Sequence, residues 1–381
     1  MMARRARVGD LPTPALLLDL DVLERNLDRM AERTRALGVA LRPHAKTHKC
    51  LEVGRMQLAR GAPGITVATL PEAQAFADGG FTDVTWAFPL VAGRLAEVTD
   101  LARRVTFRVT LDSLEALEAL GAAARAAGVA VHAWLEVDSG HHRSGVDPRA
   151  AASVSLARRL AGEKGVVFDG LLTHAGHSYR ARVRAERAAV AESERATMVG
   201  FAALLKGENV AVPALSVGST PAMAAVEKLD GVSEVRPGNY VFHDFTQLAG
   251  GVCGAEDCAV TVLASVVSHQ RGADHAVVDA GALALSKDPG PNDPVQARGL
   301  GPVVRGLAGH ELDPELQVHA VSQEHGMVGG DGTKAVEGRL KVGEKVRILP
   351  NHSCLTVAMF DAYHVVRGED VVDGWTIWRR R

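Results

Sequence analysis

Short apolar runs alternate with amphipathic segments along the first 240 residues of the chain. In residues 20–38, Leu20, Leu23 and Leu27 recur at the helical spacing, and Gly38 is a typical residue after a helix end. Ala- and Leu-rich stretches with helical character separate the later runs. Eight runs of strand length follow: VALRPHAK (39–46), GITVAT (64–69), DVTWAF (83–88), VTFRVT (105–110), AVHAWLEV (130–137), FDGLLTH (168–174), PALSVG (213–218) and EVRPG (234–238).

Eight strands separated by seven helical stretches predict a parallel (β/α)8 barrel of the TIM type. Each strand–helix pair of such a barrel takes about 25 to 30 residues, which matches the spacing of the runs. A doubly wound open sheet is the rival interpretation. No G-x-G-x-x-G motif follows the first strand, and this disfavours a dinucleotide-binding domain.

The pattern changes from about residue 245, where Val-rich runs are joined by turns without a convincing helix. Val-rich runs joined by turns predict a C-terminal all-β domain. The expected fold class is therefore an α/β barrel followed by an all-β domain. We predict a barrel domain over 11–244 and a β-domain over 245–381, and the segment 1–20 is a candidate to pack with the latter. The Pro- and Gly-rich stretch KDPGPNDP (287–294) predicts a loop.

Composition narrows the class of protein further. Lys plus Arg total 43 against 45 for Asp plus Glu, and a net charge of −2 provides no electrostatic reason to expect nucleic acid or an anionic membrane as partner. No run of eighteen apolar residues exists, so we expect no membrane span and a cytoplasmic protein. Four cysteines do not make a disulfide framework, and because nothing near Cys253 and Cys258 completes a second pair of metal ligands, we interpret them as ordinary thiols of a reducing cytoplasm.

The most informative side chain is Lys46, directly after the first barrel strand. Barrel enzymes place their chemistry at the carboxyl ends of strands. Positive neighbours and partial burial favour the neutral amine that a Schiff-base lysine needs, whereas a solvated basic loop is the other interpretation. The cationic neighbours expected from the sequence are Arg42, His44, His48 and Lys49.

Two small-residue turns offer main-chain N–H groups to a phosphate. They are Gly218-Ser219-Thr220 and the turn of Arg236, Gly238 and Asn239. Glycine turns alone are common at strand ends. Combined with a candidate Schiff-base lysine, however, a phosphate site points to pyridoxal 5'-phosphate, whose aldehyde needs an amine and whose phosphate needs an anchor.

Two alternatives for a metal emerge from the residues. His352 and Cys354 lie two apart, so on an extended strand they would face the same side and could bind one ion, with zinc preferred over manganese or magnesium. Two protein ligands would leave coordination positions open. The alternative interpretation is that Cys354 is simply a buried cysteine next to an unrelated histidine and binds no metal. The other metal centre would be that of a barrel hydrolase, built from His44, His48, His174 and His177.

Eight strings together make the chain resemble a known family. They are RPHAKTHK, EVDSGHHRSGV, THAGHSY, LSVGSTP, EVRPGNYVFHD, VVDAG, SQEHG and PNHSC. Their order resembles that of the D-serine dehydratase and D-threonine aldolase family, which shares the alanine racemase fold type of pyridoxal-phosphate enzymes. The resemblance runs from about residue 11 to the C-terminus. It implies a barrel followed by a β-domain, and a homodimer with the active site near the subunit interface.

The resemblance also implies roles for individual residues. Lys46 would bind the cofactor covalently, Arg143 would lie near its phenolic oxygen, and the ring of His174 would pack against it. The residues implied to bind the phosphate are Ser219, Thr220, Gly238 and Asn239. Arg236 would face the pyridine nitrogen. His352 and Cys354 would bind the metal.

The form of the metal pair indicates which reaction to expect. His-x-Cys resembles the zinc-dependent dehydratases, whereas the aldolases more typically have His-x-Asp and a harder ion. The implied activity is therefore dehydration of a 3-hydroxy D-amino acid to a 2-oxo acid and ammonia. Aldol cleavage to glycine and an aldehyde is the first alternative. Amino-acid racemisation and cofactor binding without turnover are the others.

Overall fold

The computed structural model describes residues 6–269, 273–291, 297–330, 336 and 338–379. Contacts divide these residues into two compact units. The barrel unit comprises Arg29–Lys46 and Val53–Gly238, and the β unit comprises the chain up to Asp28, Thr47–Glu52 and Asn239–Arg379. The predicted domain boundary at residues 244 and 245 stays a prediction.

The barrel unit contains an eight-stranded parallel sheet, and each of the eight predicted runs forms one of its strands. The first and last strands in the sheet order are joined by a parallel bridge between His44 and Thr66, which closes the sheet. The predicted fold class is therefore confirmed. The strands, in sheet order, are β2 (Ala40–Leu41), β9 (Glu234–Val235), β8 (Leu215–Val217), β7 (Val166–Leu172), β6 (Val131–Glu136), β5 (Thr106–Leu111), β4 (Asp83–Pro89) and β3 (Ile65–Val67).

Helices follow the strands, with ends that the sequence specifies. Before α5, the Ser113 hydroxyl accepts a hydrogen bond from the Ala116 N–H, and after it Gly128 adopts a φ of +65°, which favours glycine. The helices are α1 (Leu20–Ala36), α2 (Leu51–Ala59), α3 (Leu70–Asp78), α4 (Leu95–Arg104), α5 (Leu114–Ala127), α6 (Ala151–Gly162), α7 (Arg184–Gly207) and α8 (Thr220–Ala225).

A network of ion pairs ties the barrel strands together. Asp83 on β4 accepts hydrogen bonds from the guanidinium groups of both Arg42 and Arg108. Arg42 also donates to Glu234 at 2.8 Å, and Arg108 donates to Asp169 at 2.5 Å. Because the Arg42 side chain is 5% exposed, its charge depends on these carboxylates for compensation.

Replacement of Asp83 with alanine should destabilise the barrel strongly. Two guanidinium groups would lose a shared acceptor, and breaking a buried pair typically costs about 3 kcal/mol of unfolding free energy. Urea denaturation followed by circular dichroism measures the loss. The matched control is Asp100→Ala, which removes the exposed partner of Arg103 and should cost no more than about 0.5 kcal/mol. Equal losses in the two variants would contradict the prediction.

The β unit is built on a nine-stranded sheet. Strand β1, near the start of the chain, pairs antiparallel with β10 and parallel with β16. The predicted Val-rich runs form strands, although three short helices also occur, α9 (Phe245–Ala249), α10 (Ala282–Leu285) and α11 (Ser353–Val357). In sheet order the strands are β11 (His275–Val278), β14 (Gly326–Gly329), β13 (Leu312–Val321), β12 (Pro302–Val304), β15 (Lys345–Ile348), β10 (Val260–Ser268), β1 (Ala15–Asp19), β16 (Ala362–Arg367) and β17 (Asp370–Thr376).

Candidate active site

Lys46 lies in a single 3-10 turn, Ala45–Thr47, shortly after β2. Its main-chain N–H donates to Nδ1 of His44 at 3.4 Å, and its side chain is partly exposed. Arg42, one of the cationic neighbours expected for Lys46, forms ion pairs with Glu234 and Asp83 instead. The prediction that Arg42 adds positive charge beside Lys46 is therefore wrong.

A cationic group surrounds His174, which follows β7. Burial lowers the pKa of His174 well below its usual range, and the positive charges of Lys46, Arg143 and Arg236 lower it further. The imidazole is thus neutral at physiological pH. Three predicted site residues, from three other strand ends of the barrel, are thus brought within electrostatic range of His174.

Arg236 is the buried member of this group. Its guanidinium donates to the Ser216 hydroxyl and to the main-chain carbonyl of Thr173, so neighbouring strand ends fix its position. Burial lowers the pKa of Arg236, and the carboxylates of Glu234 and Glu194 oppose this effect. The side chain is held rigidly enough to present a positive group at a defined place.

A small cavity beside His174 and Arg143 has polar walls. Glu136, Ser139 and His141 also line it. Two buried polar atoms on the adjoining strand β6, Nε1 of Trp134 and Oε2 of Glu136, have no hydrogen-bond partner among the described residues. Buried polar atoms are normally paired, so the unpaired oxygen of Glu136 in the wall of this cavity indicates room for a polar ligand, whose anionic part would face Arg143. The donor set fits the pyridoxal phosphate expected from the sequence.

The first phosphate turn is braced by a residue that sequence reasoning missed. Gly218 adopts a φ of +94°, and Ser219 caps α8 while its hydroxyl lies 2.8 Å from that of Ser178. Glu194 on α7 accepts hydrogen bonds from the main-chain N–H groups of Ala175 and Gly218. Nothing in the sequence distinguishes Glu194 from the other charged residues of that helix.

The ionisation of Glu194 matters for an anion in this turn. Burial raises its pKa to about 7, although the two main-chain hydrogen bonds favour the carboxylate. With a pKa of about 7, Glu194 carries only about half of a full negative charge at neutral pH and repels a phosphate less than an ordinary carboxylate would. The predicted Thr220 follows Ser219 and is buried.

The second turn is a less complete match to the prediction. Gly238 follows Arg236, and the Pro237 carbonyl between them accepts from the His44 N–H at 3.0 Å. The side chain of Asn239 donates to Asp244 at 2.7 Å and to Ser353 at 3.0 Å. Its amide donors are therefore committed, and a phosphate contact from Asn239 would have to come from its main chain.

His352 and Cys354 lie together in the β unit, but not on a strand as the sequence suggested. β15 ends at Ile348, His352 caps α11, and Cys354 is on its first turn. The extended-strand interpretation is therefore wrong. The two side chains are nevertheless hydrogen-bonded, because the backbone of His352 is still extended (φ −138°, ψ 100°) where the helix begins.

Asp288 holds the imidazole of His352 in place. The Asp288 carboxylate lies 3.0 Å from Nδ1 of His352, which leaves Nε2 for a ligand. Although burial lowers the pKa of His352, Asp288 and Cys354 raise it to about 11, and a divalent ion would replace the proton that is held on Nε2. A carboxylate behind a histidine is the usual support of a metal ligand, so the donor set fits a soft divalent ion. Asp288 lies in the predicted loop 287–294, of which residues 292–294 are outside the described residues.

The other metal alternatives gain no support. In the described parts of the chain, no three or more His, Cys, Asp or Glu side chains are grouped to hold an ion. The histidines at 44, 48, 174 and 177 therefore do not form the centre of a barrel hydrolase there. The remaining candidate metal site is the pair His352 and Cys354, which would leave coordination positions of the ion open.

The fold and the cationic strand-end cluster define a barrel enzyme with a separate β unit. A family model for the N-terminal domain of alanine racemase matches residues 18–244, and one for a serine dehydratase domain matches residues 259–366. The chain belongs to this D-serine dehydratase-type family of the alanine racemase fold. It is an enzyme of the lyase class. No helix in the described ranges is long and apolar enough to cross a membrane.

Three relatives with defined names cover nearly the whole chain. D-threo-3-hydroxyaspartate dehydratase of Delftia sp. (strain HT23) is 41% identical over 96% of this chain and 97% of its own length. D-serine dehydratase of Dictyostelium discoideum is 33% identical, over 96% of each chain. D-threonine aldolase of Arthrobacter sp is 32% identical, over 98% of this chain and 95% of the relative.

Solved structures agree with these sequence relationships. That of D-threo-3-hydroxyaspartate dehydratase from Delftia sp. HT23 gives a TM-score of 0.92 at 39% identity, covering 98% of this chain and 99% of that one. A cysteine-to-alanine mutant of D-threo-3-hydroxyaspartate dehydratase, in the metal-free form, gives 0.92 at 38% identity with the same coverage.

Proposed function

We propose that this enzyme is a pyridoxal 5'-phosphate- and metal-dependent dehydratase of 3-hydroxy D-amino acids, releasing ammonia and a 2-oxo acid. The observation that carries the proposal is the His352–Cys354 pair supported by Asp288, because a thiolate with an imidazole suits zinc. The 41% identity to a hydroxyaspartate dehydratase supports the same reaction.

Residues that follow the strands of the parallel sheet would hold the cofactor. Lys46 is the covalent attachment, Arg143 and Arg236 compensate its negative charge, and the turns of Gly218–Thr220 and Gly238–Asn239 supply N–H groups to its phosphate. The bound cofactor supplies an electron sink that acidifies the substrate Cα–H bond. The neutral ring of His174 would lie beside the cofactor without adding charge.

Lys46 is also the residue proposed to move the proton. With the cofactor bound, Nζ of Lys46 would be the group that takes the proton from the substrate Cα. The charges of Lys46, Arg143 and Arg236 all act on the imidazole of His174, so the proposed base belongs to the same cluster as the residues that would hold the cofactor. Lys46 therefore acts first as an anchor and then as a base.

His352 Nε2 and the Cys354 thiolate are the proposed metal ligands, with Asp288 orienting the imidazole. A divalent ion there, zinc in our proposal and manganese or magnesium as alternatives, supplies Lewis acidity for departure of the substrate hydroxyl. The metal-free form of a cysteine mutant in a relative supports a thiolate ligand.

Asp288→Asn should weaken the metal site without removing a ligand. The amide keeps the shape of the carboxylate but not its charge, and loss of such support typically lowers metal affinity about 10- to 100-fold. Competition with a chelator of known zinc affinity measures the change. The control is Asp274→Asn, an exposed carboxylate 2.8 Å from another histidine of the β unit, His275. An unchanged affinity in Asp288→Asn would remove the assigned role.

Product analysis tests the reaction directly. Enzyme supplied with cofactor and zinc is incubated with D-serine, D-threonine and 3-hydroxy-D-aspartate. We expect ammonia in equal amount to the 2-oxo acid. Glycine with an aldehyde as the only products would replace the proposal by its alternative, D-threonine aldolase-type cleavage, which the aldolase relatives favour. Loss of optical activity without either set of products would indicate a racemase. If no product formed and the optical activity stayed constant, the protein would be a non-catalytic binder of the cofactor.

The assembly and location complete the proposal. The family resemblance favours a homodimer, and a composition without a disulfide framework favours the cytoplasm. Light scattering coupled to gel filtration measures the mass in solution. A monomer at micromolar concentration would contradict the proposed dimer.

A further inference from the structure

Two cysteines outside the candidate active site lie close together in the β unit. Cys253 and Cys258 are five residues apart, between α9 and β10. Cys258 belongs to a hydrophobic cluster with Phe245 and Leu349, and Cys253 packs against the same cluster. The two side chains are hydrogen-bonded to each other. A short loop therefore brings two thiols into contact.

The environments of the two thiols differ in the way that reactive dithiols require. Cys258 is 3% exposed and its Sγ also faces the carbonyl of Gly254 at 3.8 Å, whereas Cys253 is partly exposed and is hydrogen-bonded to the imidazole of His243. The hydrogen bond from Cys258 lowers the pKa of Cys253, and His243 lowers it further, while Cys253 and burial raise the pKa of Cys258. Cys253 is thus the partly exposed thiol whose ionised form is favoured, and Cys258 is the buried thiol whose ionised form is disfavoured.

The other two cysteines are placed differently. Cys50 is buried and its Sγ donates to Glu52 at 3.1 Å, and Cys354 donates to Thr47 at 3.3 Å. Cys253, Cys258 and His243 also do not belong to any group of three metal-binding side chains among the described residues. The pair is thus suited to thiol chemistry rather than to an ion.

We propose that Cys253 and Cys258 form a redox-active dithiol that reacts with small-molecule disulfides. The Cys253 thiolate attacks one sulfur of the disulfide, which forms a mixed disulfide and releases one thiolate. Cys258 then loses its proton to solvent and attacks Cys253, which closes the intramolecular disulfide and releases the second thiolate. The protein loses two electrons and two protons, and the small disulfide gains the two electrons and becomes two thiols.

The test treats the full-length enzyme, loaded with cofactor and metal, with oxidised glutathione at neutral pH. Peptide mapping by mass spectrometry, after alkylation of remaining thiols, follows the segment that contains both cysteines. In the wild type we expect this segment to lose two hydrogens without retaining glutathione. Cys258→Ser should retain one glutathionyl group on Cys253, because the second thiol is missing. Cys253→Ser should remain unmodified at Cys258.

The matched variants assign each step to one sulfur. Glutathione retained on Cys258 in Cys253→Ser would contradict the assigned nucleophile. A wild type that keeps glutathione on Cys253, or that keeps both thiols reduced while free glutathione disulfide is in excess, would overturn the proposal. The wild-type measurement needs no substitution, so a variant that fails to fold does not leave the proposal untested.

Discussion

Lys46→Arg should abolish covalent binding of pyridoxal phosphate and lower turnover by at least about 10,000-fold. Arginine keeps the positive charge, but its guanidinium neither condenses with an aldehyde nor returns as a base at neutral pH. Borohydride reduction of the wild-type holoenzyme, followed by digestion, should place a pyridoxyl adduct on the peptide that contains residue 46.

The control for this prediction is Lys49→Arg. Lys49 has the same chemistry three residues later, and a φ of +48° that the substitution does not change. It should retain the adduct on Lys46 and wild-type activity. An adduct on Lys49 in the wild type, or an active Lys46→Arg enzyme, would leave the lyase proposal without its anchor.

Cys354→Ala should lower the elimination rate by at least about 100-fold while the absorbance of the bound cofactor is retained. Lewis-acid assistance of a leaving group contributes several kcal/mol, and about 3 kcal/mol corresponds to a factor of about 100 in rate. Absorbance spectra, metal analysis and ammonia release, measured on the same preparation, separate the loss of metal from the loss of cofactor.

Cys253→Ala is the matched control, because it removes a thiol of the same β unit that packs against the cluster of Phe245 and Cys258 and interacts with His243. It should retain both metal and activity. If Cys354→Ala eliminated ammonia at the wild-type rate, or still bound one equivalent of zinc with unchanged affinity, the thiolate would have no role as a ligand.

The barrel could be predicted from the sequence because its strands are separate apolar runs, and each run corresponds to one observed strand. Even the two-residue strands β2 and β9 lie inside predicted runs. The strand ends follow directly and drew attention to Lys46, whereas the roles of Arg143, His174 and Arg236 came from the family resemblance. Their mutual influence on His174 required coordinates, because it depends on how neighbouring strands align.

Other features of the site could not be predicted from the pattern of apolar and polar residues. Glu194 is one of several charged residues on α7, and only the packing of that helix shows that it reaches the N–H groups of Ala175 and Gly218. Asp288 lies in a loop far along the chain from His352. The short helix that begins at Ser353 was hidden because five residues are too few to establish a helical period. The prediction for Arg42 was wrong because neighbouring basic residues need not point to the same side of the strand, and its side chain pairs with Asp83 and Glu234.

The position of strand β1 has a consequence for synthesis on the ribosome. Its neighbours are separated from it by most of the polypeptide, since Ala15 aligns with Leu263 and Leu17 with His364. The barrel strands are complete once residue 235 has been made, whereas β1 must wait for its last partner until translation is nearly finished. Nascent chains therefore carry an unpaired apolar strand during most of their elongation, which makes this segment a natural client for chaperones.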